Sequence, residues 1–273
     1  MERRSSLVRN SGPVPVVYFD GGDLPYIKLY PIADIHYDAE TFDWNTFHKY
    51  LTILKEDEYA YTIILGDLLD APQFLTSEPS SRMAINKAIE ELLEHFAPVA
   101  HKIILVCSGN HDQRFLKKAG IDPIRLFAYS LGDIPYTDHQ AIVHFGIGRN
   151  PKEKNRHRPF SYTCVATHGW GGGRTKGGRA LKLSYYLNIW EGIDFFLMGH
   201  LHSYMEFPEG RFRYNPTNKT VSIVAPRLIM ASSLLGYAKY ASRKTLNPEA
   251  KVLCEIHLSG KEKRVKISSE VVS

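Results

Sequence analysis

Five short apolar segments in this sequence run directly into aspartate, asparagine or histidine. The five junctions are Asp34-Ile35-His36, Gly66-Asp67-Leu68-Leu69-Asp70, Gly109-Asn110-His111-Asp112, His168-Gly169 and Gly199-His200-Leu201-His202. One Gly-Asp pair is usually a turn, and one histidine after a strand is usually solvated. Five such junctions in a single chain are better explained by strands whose carboxyl ends meet, because α/β folds place their sites there. The pattern therefore predicts an α/β fold with one polar site at the edge of its sheets.

The segments between these junctions alternate between strand and helix patterns. Apolar, β-branched residues predict strands at 26–35, 61–65 and 102–107. Helices are predicted at 43–55, where Asp43 is a suitable N-cap, at 85–96, which Pro98 ends, and at 123–130. From Tyr136 onward the predicted elements are strands at 141–147, 160–167, 194–198, 221–224, 228–231 and 252–258 and one helix at 179–190. This order predicts one α/β domain with a largely parallel first sheet and a more antiparallel second sheet.

The composition is that of an ordinary globular protein. Hydrophobic residues make up 44% of the 273-residue chain and charged residues 23%, which excludes a disordered or collagen-like chain. No apolar run approaches the roughly 20 residues that span a bilayer, and residues 1–23 lack the apolar stretch of a secretory signal. The cysteines Cys107, Cys164 and Cys254 each lie in a strand-like segment and are predicted to be reduced core thiols. We therefore expect a cytoplasmic protein without membrane contact, in the host cytoplasm if a phage encodes it.

The net charge of +5 hides an asymmetry between the two halves of the chain. Residues 1–140 contain 13 Lys+Arg and 20 Asp+Glu, whereas residues 141–273 contain 21 and 9. Uneven surface charge is the simplest explanation from composition alone. The motifs favour another interpretation, because the first half supplies the aspartates of the junctions and the second half supplies three of the histidines. The two halves are then two sides of one site.

The residue types at the junctions indicate a metal site. Carboxylate, imidazole and amide oxygen together are the ligands of hard and borderline divalent ions. A thiolate site is excluded, because the three cysteines lie far apart in sequence and none is paired.

As an ordered set, these motifs resemble those of the calcineurin-like metallophosphoesterase superfamily. The blocks Asp-x-His, Gly-Asp-x-x-Asp, Gly-Asn-His-Asp, His and Gly-His-x-His all occur in order over residues 34–202. The resemblance implies a four-layer αββα sandwich with a dinuclear metal centre at the rim of two central mixed sheets. We expect residues 1–273 to form a single domain of this kind. Residues 26–203 would carry the motifs, and residues 204–273 would complete the second sheet.

The resemblance also implies a set of ligands for two divalent ions. One ion would be held by Asp34, His36 and His202, the other by Asn110, His168 and His200, with Asp67 bridging both. A shared carboxylate reduces the repulsion between two cations about 4 Å apart. Manganese is favoured, with iron, zinc, nickel and magnesium as alternatives. A hydroxide that bridges the ions would attack phosphorus directly, so that no covalent enzyme intermediate is needed.

His111 lies next to a predicted ligand, but the resemblance gives it a different task. It would face the phosphate and protonate the leaving oxygen, oriented by Asp70. The alternative for Asp70 is an N-cap of a following helix. Asp112 is predicted to cap the turn at residues 113–118.

A glycine-rich, cationic loop follows His168 and is the main candidate for substrate contact. The predicted contacts are Trp170, which can stack on a base, and the cations Arg114, Arg174, Lys176 and Arg179. A surface loop with solvated charges is the alternative. A second basic run, residues 149–158, is predicted to be an exposed hairpin loop that either contacts nucleic acid or is simply solvated.

One departure from the resemblance bears on the substrate. Protein Ser/Thr phosphatases of this superfamily have a phosphate-binding arginine after the second aspartate of the Gly-Asp-x-x-Asp block, and here that position is Ala71. We expect a phosphodiesterase acting on a nucleotide or nucleic acid, with no obligate protein partner. A small-molecule phosphomonoesterase is the first alternative. A non-catalytic scaffold of the same fold is the second, although every expected ligand position is filled.

Overall fold

The computed structural model describes residues 4–8, 12–70, 83–149, 158–237 and 248–272. Fifteen strands lie in this part of the chain. They are β1 (Ser5–Leu7), β2 (Val16–Asp20), β3 (Tyr26–Ile32), β4 (Ala60–Ile64), β5 (Ile103–Cys107), β6 (Tyr136–Thr137), β7 (Gln140–Ile147), β8 (Phe160–Thr167), β9 (Phe195–Met198), β10 (Met205–Pro208), β11 (Arg211–Asn215), β12 (Thr220–Val224), β13 (Arg227–Met230), β14 (Lys251–Ser259) and β15 (Val265–Val272).

Five α-helices and one 3-10 helix connect these strands in the described residues. They are α1 (Trp44–Glu56), α2 (Ile85–Phe96), the 3-10 helix (Ala97–Lys102), α3 (Gln113–Ala119), α4 (Pro123–Ser130) and α5 (Lys176–Leu187). Asp43 caps α1 as predicted, since its side chain accepts a hydrogen bond from the backbone N–H of Thr46.

The strands form two large sheets and one separate hairpin. The first sheet has six strands in the order β15-β14-β3-β4-β5-β6, and the second has seven in the order β1-β2-β7-β8-β9-β13-β10. The neighbours from β3 to β6 are parallel, which confirms a largely parallel first sheet. In the second sheet parallel and antiparallel pairs are mixed. Among the described strands, β11 and β12 pair only with each other.

Three hydrophobic clusters show how the layers pack. One joins α1, α2 and α4 to the outer face of the first sheet, for example Phe47, Leu92 and Phe127 against Ile64. A second fills the space between the two sheets. The third packs α5 on the outer face of the second sheet. The layers are therefore helix, sheet, sheet and helix, and the predicted αββα architecture is confirmed.

The C-terminal region differs from the prediction. Strands β10 and β13 do extend the second sheet, but β14 and β15 pair at the edge of the first sheet, beside β3. The expectation that residues 204–273 complete the second sheet therefore holds for β10 and β13 but not for β14 and β15. Helix α5 begins earlier than predicted, because Thr175 caps its first turn by accepting a hydrogen bond from the backbone N–H of Gly178. It also ends earlier, at Leu187.

No helix in the described part of the chain is long and apolar enough to cross a membrane.

Candidate metal centre

The polar residues of the five junctions meet at one rim of the two sheets. The loops after β3, β4 and β5 belong to the first sheet, and the loops after β8 and β9 belong to the second. Three overlapping groups of side chains have ligand atoms within 4.8 Å of one another: Asp34, His36 and His202; His36, Asp67 and His111; and Asp67, His168 and His200. The predicted ligands are thus brought together, and their role as ligands stays a prediction.

Asp67 lies at the centre of this arrangement. Its Oδ2 is 3.3 Å from Nε2 of His168 and 3.7 Å from Nε2 of His36. Its Oδ1 accepts a hydrogen bond from the backbone N–H of His111 at 2.8 Å. A carboxylate in this position faces both predicted ion sites, as a bridging ligand must.

Asp34 contacts residues that follow the second sheet. Its carboxylate accepts hydrogen bonds from the backbone N–H of His200 at 2.9 and 3.1 Å. Oδ1 of Asp34 is also 3.3 Å from Nε2 of His202. Asp34 therefore joins the loop after β3 to the loop after β9.

Three of the predicted histidine ligands each have one ring nitrogen held by the chain. Nδ1 of His36 is 3.0 Å from Oδ1 of Asp70, Nδ1 of His168 is 2.8 Å from the carbonyl oxygen of Leu65, and Nε2 of His200 is 2.6 Å from that of Gly171. Because these oxygens accept, each of those nitrogens carries a proton, and in the neutral ring the other nitrogen keeps a lone pair. Fixing the tautomer of a metal-binding histidine in this way is typical of metal sites.

The remaining nitrogens show that the donor set fits a cation. Nε2 of His36 is buried and has no hydrogen-bond partner among the described residues. Nε2 of His168 lies 2.9 Å from Oδ1 of Asn110, which is also an acceptor. Two acceptors this close repel each other unless a proton or a metal ion lies between them. Imidazole, carboxylate and amide oxygen suit a divalent ion of the borderline class.

The backbone at the site adopts a conformation that side chains other than glycine usually avoid. Seven described non-glycine residues have positive φ, and five of them are predicted ligands: Asp34 (φ 50°), His36 (φ 46°), Asp67 (φ 50°), His200 (φ 72°) and His202 (φ 54°). Left-handed backbone at non-glycine residues costs free energy and collects at functional sites. The fold therefore accepts local strain in order to aim these side chains.

Two glycines of the motifs make space for the carboxylates. A Cβ on Gly109 would lie 2.1 Å from Oδ1 of Asp67, and a Cβ on Gly199 would lie 3.0 Å from Oδ2 of Asp34. Neither aspartate could keep its position beside a larger residue. The glycine before each polar residue is thus explained by close approach and not only by a turn.

His111 and Asp70 lie together beside this group. Nδ1 of His111 is 2.7 Å from the carbonyl oxygen of Asp70 and 3.1 Å from its Oδ1. This leaves Nε2 of His111 facing the centre, 4.0 Å from Oδ2 of Asp67. Nη1 of Arg114 donates to the same carbonyl of Asp70 at 2.9 Å, so its charge lies next to His111. Asp70 contacts both His36 and His111, whereas the sequence assigned it to His111 alone.

Asp112 does not cap the helix that follows it. Its side chain makes no cap hydrogen bond at the start of α3. The buried carboxylate of Asp112 instead accepts hydrogen bonds from the backbone N–H groups of Gly109, Leu69 and Leu68, at 2.9, 3.1 and 3.3 Å. The predicted cap is therefore wrong, because Asp112 turns back and joins the loop after β5 to the loop after β4.

The electrostatics of the site follow from buried carboxylates and histidines in contact. Burial would raise the pKa of Asp67, but His168, His36 and His111 hold that pKa well below its usual range. Burial would lower the pKa of His168, but Asp67 raises it to about 9. Burial, and then the charge of Asp67, raise the pKa of Asp112 to about 7. The same negative potential that favours a proton on His168 would hold a metal ion.

The predicted substrate contacts in and after the glycine-rich loop differ in their exposure to solvent. Trp170 is 74% exposed, and Arg174 and Lys176 are exposed on the same loop. Arg179 is buried, forms an ion pair with Glu249, and donates through Nε to the carbonyl oxygen of Gly173 at 2.9 Å. Its guanidinium therefore fixes the loop, and a contact with substrate stays a prediction for this residue.

The second basic run lies mostly outside the described residues, which leave out 150–157. The strands on either side of it, β7 and β8, are antiparallel neighbours, so the run does connect a hairpin as predicted. Arg149 forms an ion pair with Asp23, with Nε 2.6 Å from Oδ1.

Some contributors to the site have no recognisable sequence pattern. The carbonyl oxygens of Leu65 and Gly171 fix His168 and His200, but any residue has a carbonyl. Glu249 holds Arg179 and also accepts from the hydroxyl of Ser203, although it is distant in sequence from both. Only the fold reveals such contacts.

A rim that gathers carboxylates, imidazoles and an amide between two sheets has the donor set of a divalent-metal centre. The sequence model of the calcineurin-like phosphoesterase family matches residues 27–204, which is more than half of the chain, and the chain belongs to that family. A comparison with curated protein sequences gives no match.

Solved structures with a similar chain path include two eukaryotic proteins. Vacuolar protein sorting 29 from Cryptosporidium parvum is 13% identical, with 91% of this chain and 98% of that chain covered and a TM-score of 0.40. GAP50, the anchor in the inner membrane complex of Plasmodium, is 12% identical, with 92% and 85% covered and a TM-score of 0.45. Resemblance at this level bears on neither activity nor partners.

Proposed function

We propose that this chain is a dinuclear-metal phosphodiesterase that hydrolyses an ester of a nucleotide or a nucleic acid. Membership of the family gives metal-dependent phosphoester hydrolysis in general. The observation that supports catalysis in this chain is the orientation of three histidine rings. His36, His168 and His200 each have one nitrogen held by the chain and the other turned toward Asp34 or Asp67.

Asp34, His36 and His202 would hold one ion and Asn110, His168 and His200 the other, with Asp67 between them. Two such ions supply Lewis acidity toward the phosphate oxygens and lower the pKa of bound water. The chain itself supplies the proton for the leaving group. Nε2 of His111 faces the centre while its Nδ1 is held by Asp70, and 21% of its side chain is exposed to an incoming substrate. That is the position of a general acid.

Two features favour a diester of a nucleotide. The position after Asp70 is alanine and not a phosphate-binding arginine, so the site is less suited to a doubly charged phosphomonoester. The exposed ring of Trp170 and the cations Arg174 and Lys176 lie on the loop that directly follows His168. An exposed indole beside a phosphate site can stack on a base, and the cations can contact flanking phosphates.

A phosphomonoesterase is the second candidate, and Arg114 is the observation that favours it. Nη1 of Arg114 lies 2.9 Å from Nδ1 of His111, so a guanidinium borders the site. A cation here would offset the additional charge of a monoester.

The test is a panel of substrates with the purified protein in Mn²⁺. We expect hydrolysis of bis-para-nitrophenyl phosphate and of a para-nitrophenyl nucleotide ester, and slower hydrolysis of para-nitrophenyl phosphate. Cyclic nucleotides and single- and double-stranded nucleic acid complete the panel. Metal analysis should find about two divalent ions per chain. A faster reaction with the monoester would favour the second candidate. If the chain bound no metal and hydrolysed none of these substrates, the non-catalytic scaffold would be the remaining explanation.

A further inference from the structure

The two large sheets have four edge strands in the described part of the chain, and three of them are poor templates for pairing with another chain. Strand β1 has three residues, β6 has two, and β10 has four and ends in Pro208. Short strands and proline are common means by which proteins prevent pairing at an edge. The fourth edge strand, β15, has eight residues and contains neither proline nor glycine. This edge of the first sheet is therefore open to pairing.

Both faces of β15 are exposed over the second half of the strand. Ser268 and Glu270 lie on the helix side of the sheet, where Glu270 meets Lys49 of α1, and Ser269 and Val271 lie on the side of the second sheet. All four residues of the strand are exposed, Val271 by 62%. The backbone of β15 pairs with β14 alone among the described strands. Half of its N–H and C=O groups point away from β14 and are left without a partner from that part of the chain.

The geometry of an antiparallel pair limits how two copies of β15 can meet. A residue whose backbone groups point across the interface must face a residue of the same kind. Such residues alternate along β15 and are the same in both copies, so the numbers of two facing residues must add up to an even number. A two-fold axis then passes through one residue. Axes through Ser268 and through Ser269 give the longest overlap of the two strands, with seven residues of each paired.

The side chains distinguish these two axes. About Ser268, Lys266 of one copy faces Glu270 of the other, and Val265 faces Val271, each twice. About the neighbouring axis, each charged residue would face an uncharged one. Opposite charges and β-branched residues that face each other stabilise an antiparallel pair. The edge is thus complementary to itself about Ser268, which favours a second copy of this chain over a strand of another protein.

We infer that this chain forms a symmetric dimer in which two copies of β15 pair antiparallel about Ser268. The two six-stranded sheets then become one sheet of twelve strands. About six to eight new backbone hydrogen bonds join the copies. Glu270 is 69% exposed in its ion pair with Lys49, at 2.8 Å, and receives Lys266 of the other copy as a second cation. Lys266 faces His257 of β14 and has no acidic partner among the described residues of its own chain.

This dimer would keep its two metal centres apart. β15 runs antiparallel to β14, and β14 runs antiparallel to β3, so β15 and β3 have the same direction. A two-fold axis perpendicular to the sheet reverses that direction in the second copy. The candidate metal centres then lie at opposite rims of the continuous sheet, and neither copy contributes to the site of the other. The inference therefore does not depend on the proposed function.

The experiment measures the molar mass of the full chain by sedimentation equilibrium over the micromolar concentration range. The wild-type protein should show a reversible equilibrium between monomer and dimer. Lys266→Glu places two pairs of like charges across the axis and should weaken the dimer about tenfold, and Glu270→Lys should do the same. An equimolar mixture of these two variants should restore the dimer, because each introduced charge then faces its opposite. The matched control, Lys118→Glu, makes the same change of charge at an exposed lysine of α3 and should dimerise like the wild type.

Three results would overturn the inference. The wild-type protein stays monomeric throughout the concentration range, which leaves the edge to a strand of another protein or to none. Either single variant dimerises as tightly as the control, which places the contact on another surface. The mixture of the two variants associates no better than each variant alone, which excludes the register about Ser268. Circular dichroism verifies that every variant is folded.

Discussion

Oδ1 of Asp70 lies 3.0 Å from Nδ1 of His36, so a residue expected to serve proton transfer also holds a predicted metal ligand. The same oxygen lies 3.1 Å from Nδ1 of His111. One carboxylate thereby fixes the tautomers of two histidines with different tasks. Metal affinity and turnover should both depend on it.

Replacing Asp70 by asparagine should weaken metal binding and turnover together. The side-chain amide keeps the shape but lacks the charge that favours both Nδ1–H groups. We expect metal affinity to fall about 10- to 100-fold, as for other groups that orient ligands. Titration with Mn²⁺, followed by calorimetry and by initial rates, measures both effects. Unchanged metal affinity would show that Asp70 serves His111 alone.

The variant His111→Ala should separate the effect on turnover from the effect on metal binding. Turnover is expected to fall about 10²- to 10⁴-fold, the usual contribution of a general acid, while the metal content is retained. Substrates with a good leaving group should be affected least, because they need less protonation. Loss of an ion from this variant would instead make His111 a ligand, since it lies in one of the groups that could bind a metal.

Asp67→Ala should abolish activity and impair binding of both ions, because this carboxylate faces both predicted sites. The control is Asp138→Ala, which removes an exposed carboxylate outside the site. Metal analysis of the two variants after dialysis gives the comparison. If Asp67→Ala retained one ion at full affinity, a bridging position would be ruled out.

Gly109→Ala should act on the site through Asp67. The new Cβ would overlap Oδ1 of Asp67 and also its backbone nitrogen, 2.3 Å away, so that the loop after β4 has to move together with the carboxylate. We expect reduced metal content and activity in a chain that still folds. Gly210→Ala serves as the control, because the nearest neighbour of its Cβ is 4.0 Å away. Circular dichroism verifies the fold of both variants, and equal metal content in the two would contradict the steric explanation.

The three cysteines should not react with thiol reagents in the native protein. Cys107, Cys164 and Cys254 are buried, and burial raises the pKa of each thiol, that of Cys254 to about 12. The thiolate is the reactive form. Ellman's reagent at pH 8 should therefore detect no thiol until denaturant is added, and then all three. Rapid reaction of any of them would show that the sheets open.

The strand ends of the metal centre could be predicted from sequence because the pattern is local. Each ligand loop follows an apolar strand, and aspartate and histidine tolerate the left-handed backbone observed at Asp34 and His200. The strands at the edges of the sheets were harder to predict from sequence. β2 is short and pairs with the distant β7, and β15 is largely exposed, so its residues lack the apolar pattern of a buried strand. The hairpin of β11 and β12 was only half predicted, because residues 211–215 alternate cations with aromatics instead of forming an apolar run.

Arg179 shows that contacts between distant segments also limit what the sequence predicts at the site. In sequence it belongs to a cationic loop, but its ion pair with Glu249 joins segments far apart in the chain. Asp112 was misassigned because its sequence neighbours suggested a helix cap, whereas its hydrogen-bond donors Leu68 and Leu69 come from another loop. Contacts between loops are set by the packing of the sheets and not by local pattern.

Neither sheet alone contains a complete set of ligands. Asp34, His36 and Asp67 follow strands of the first sheet, and His168 and His200 follow strands of the second. With the predicted ligand sets, both ions would be fully coordinated only after the two sheets have docked, which would make metal uptake a late event in folding. A ligand that binds only the native state stabilises it by mass action. The metal supply of the cell would then influence how much of this protein survives, as well as how fast it works.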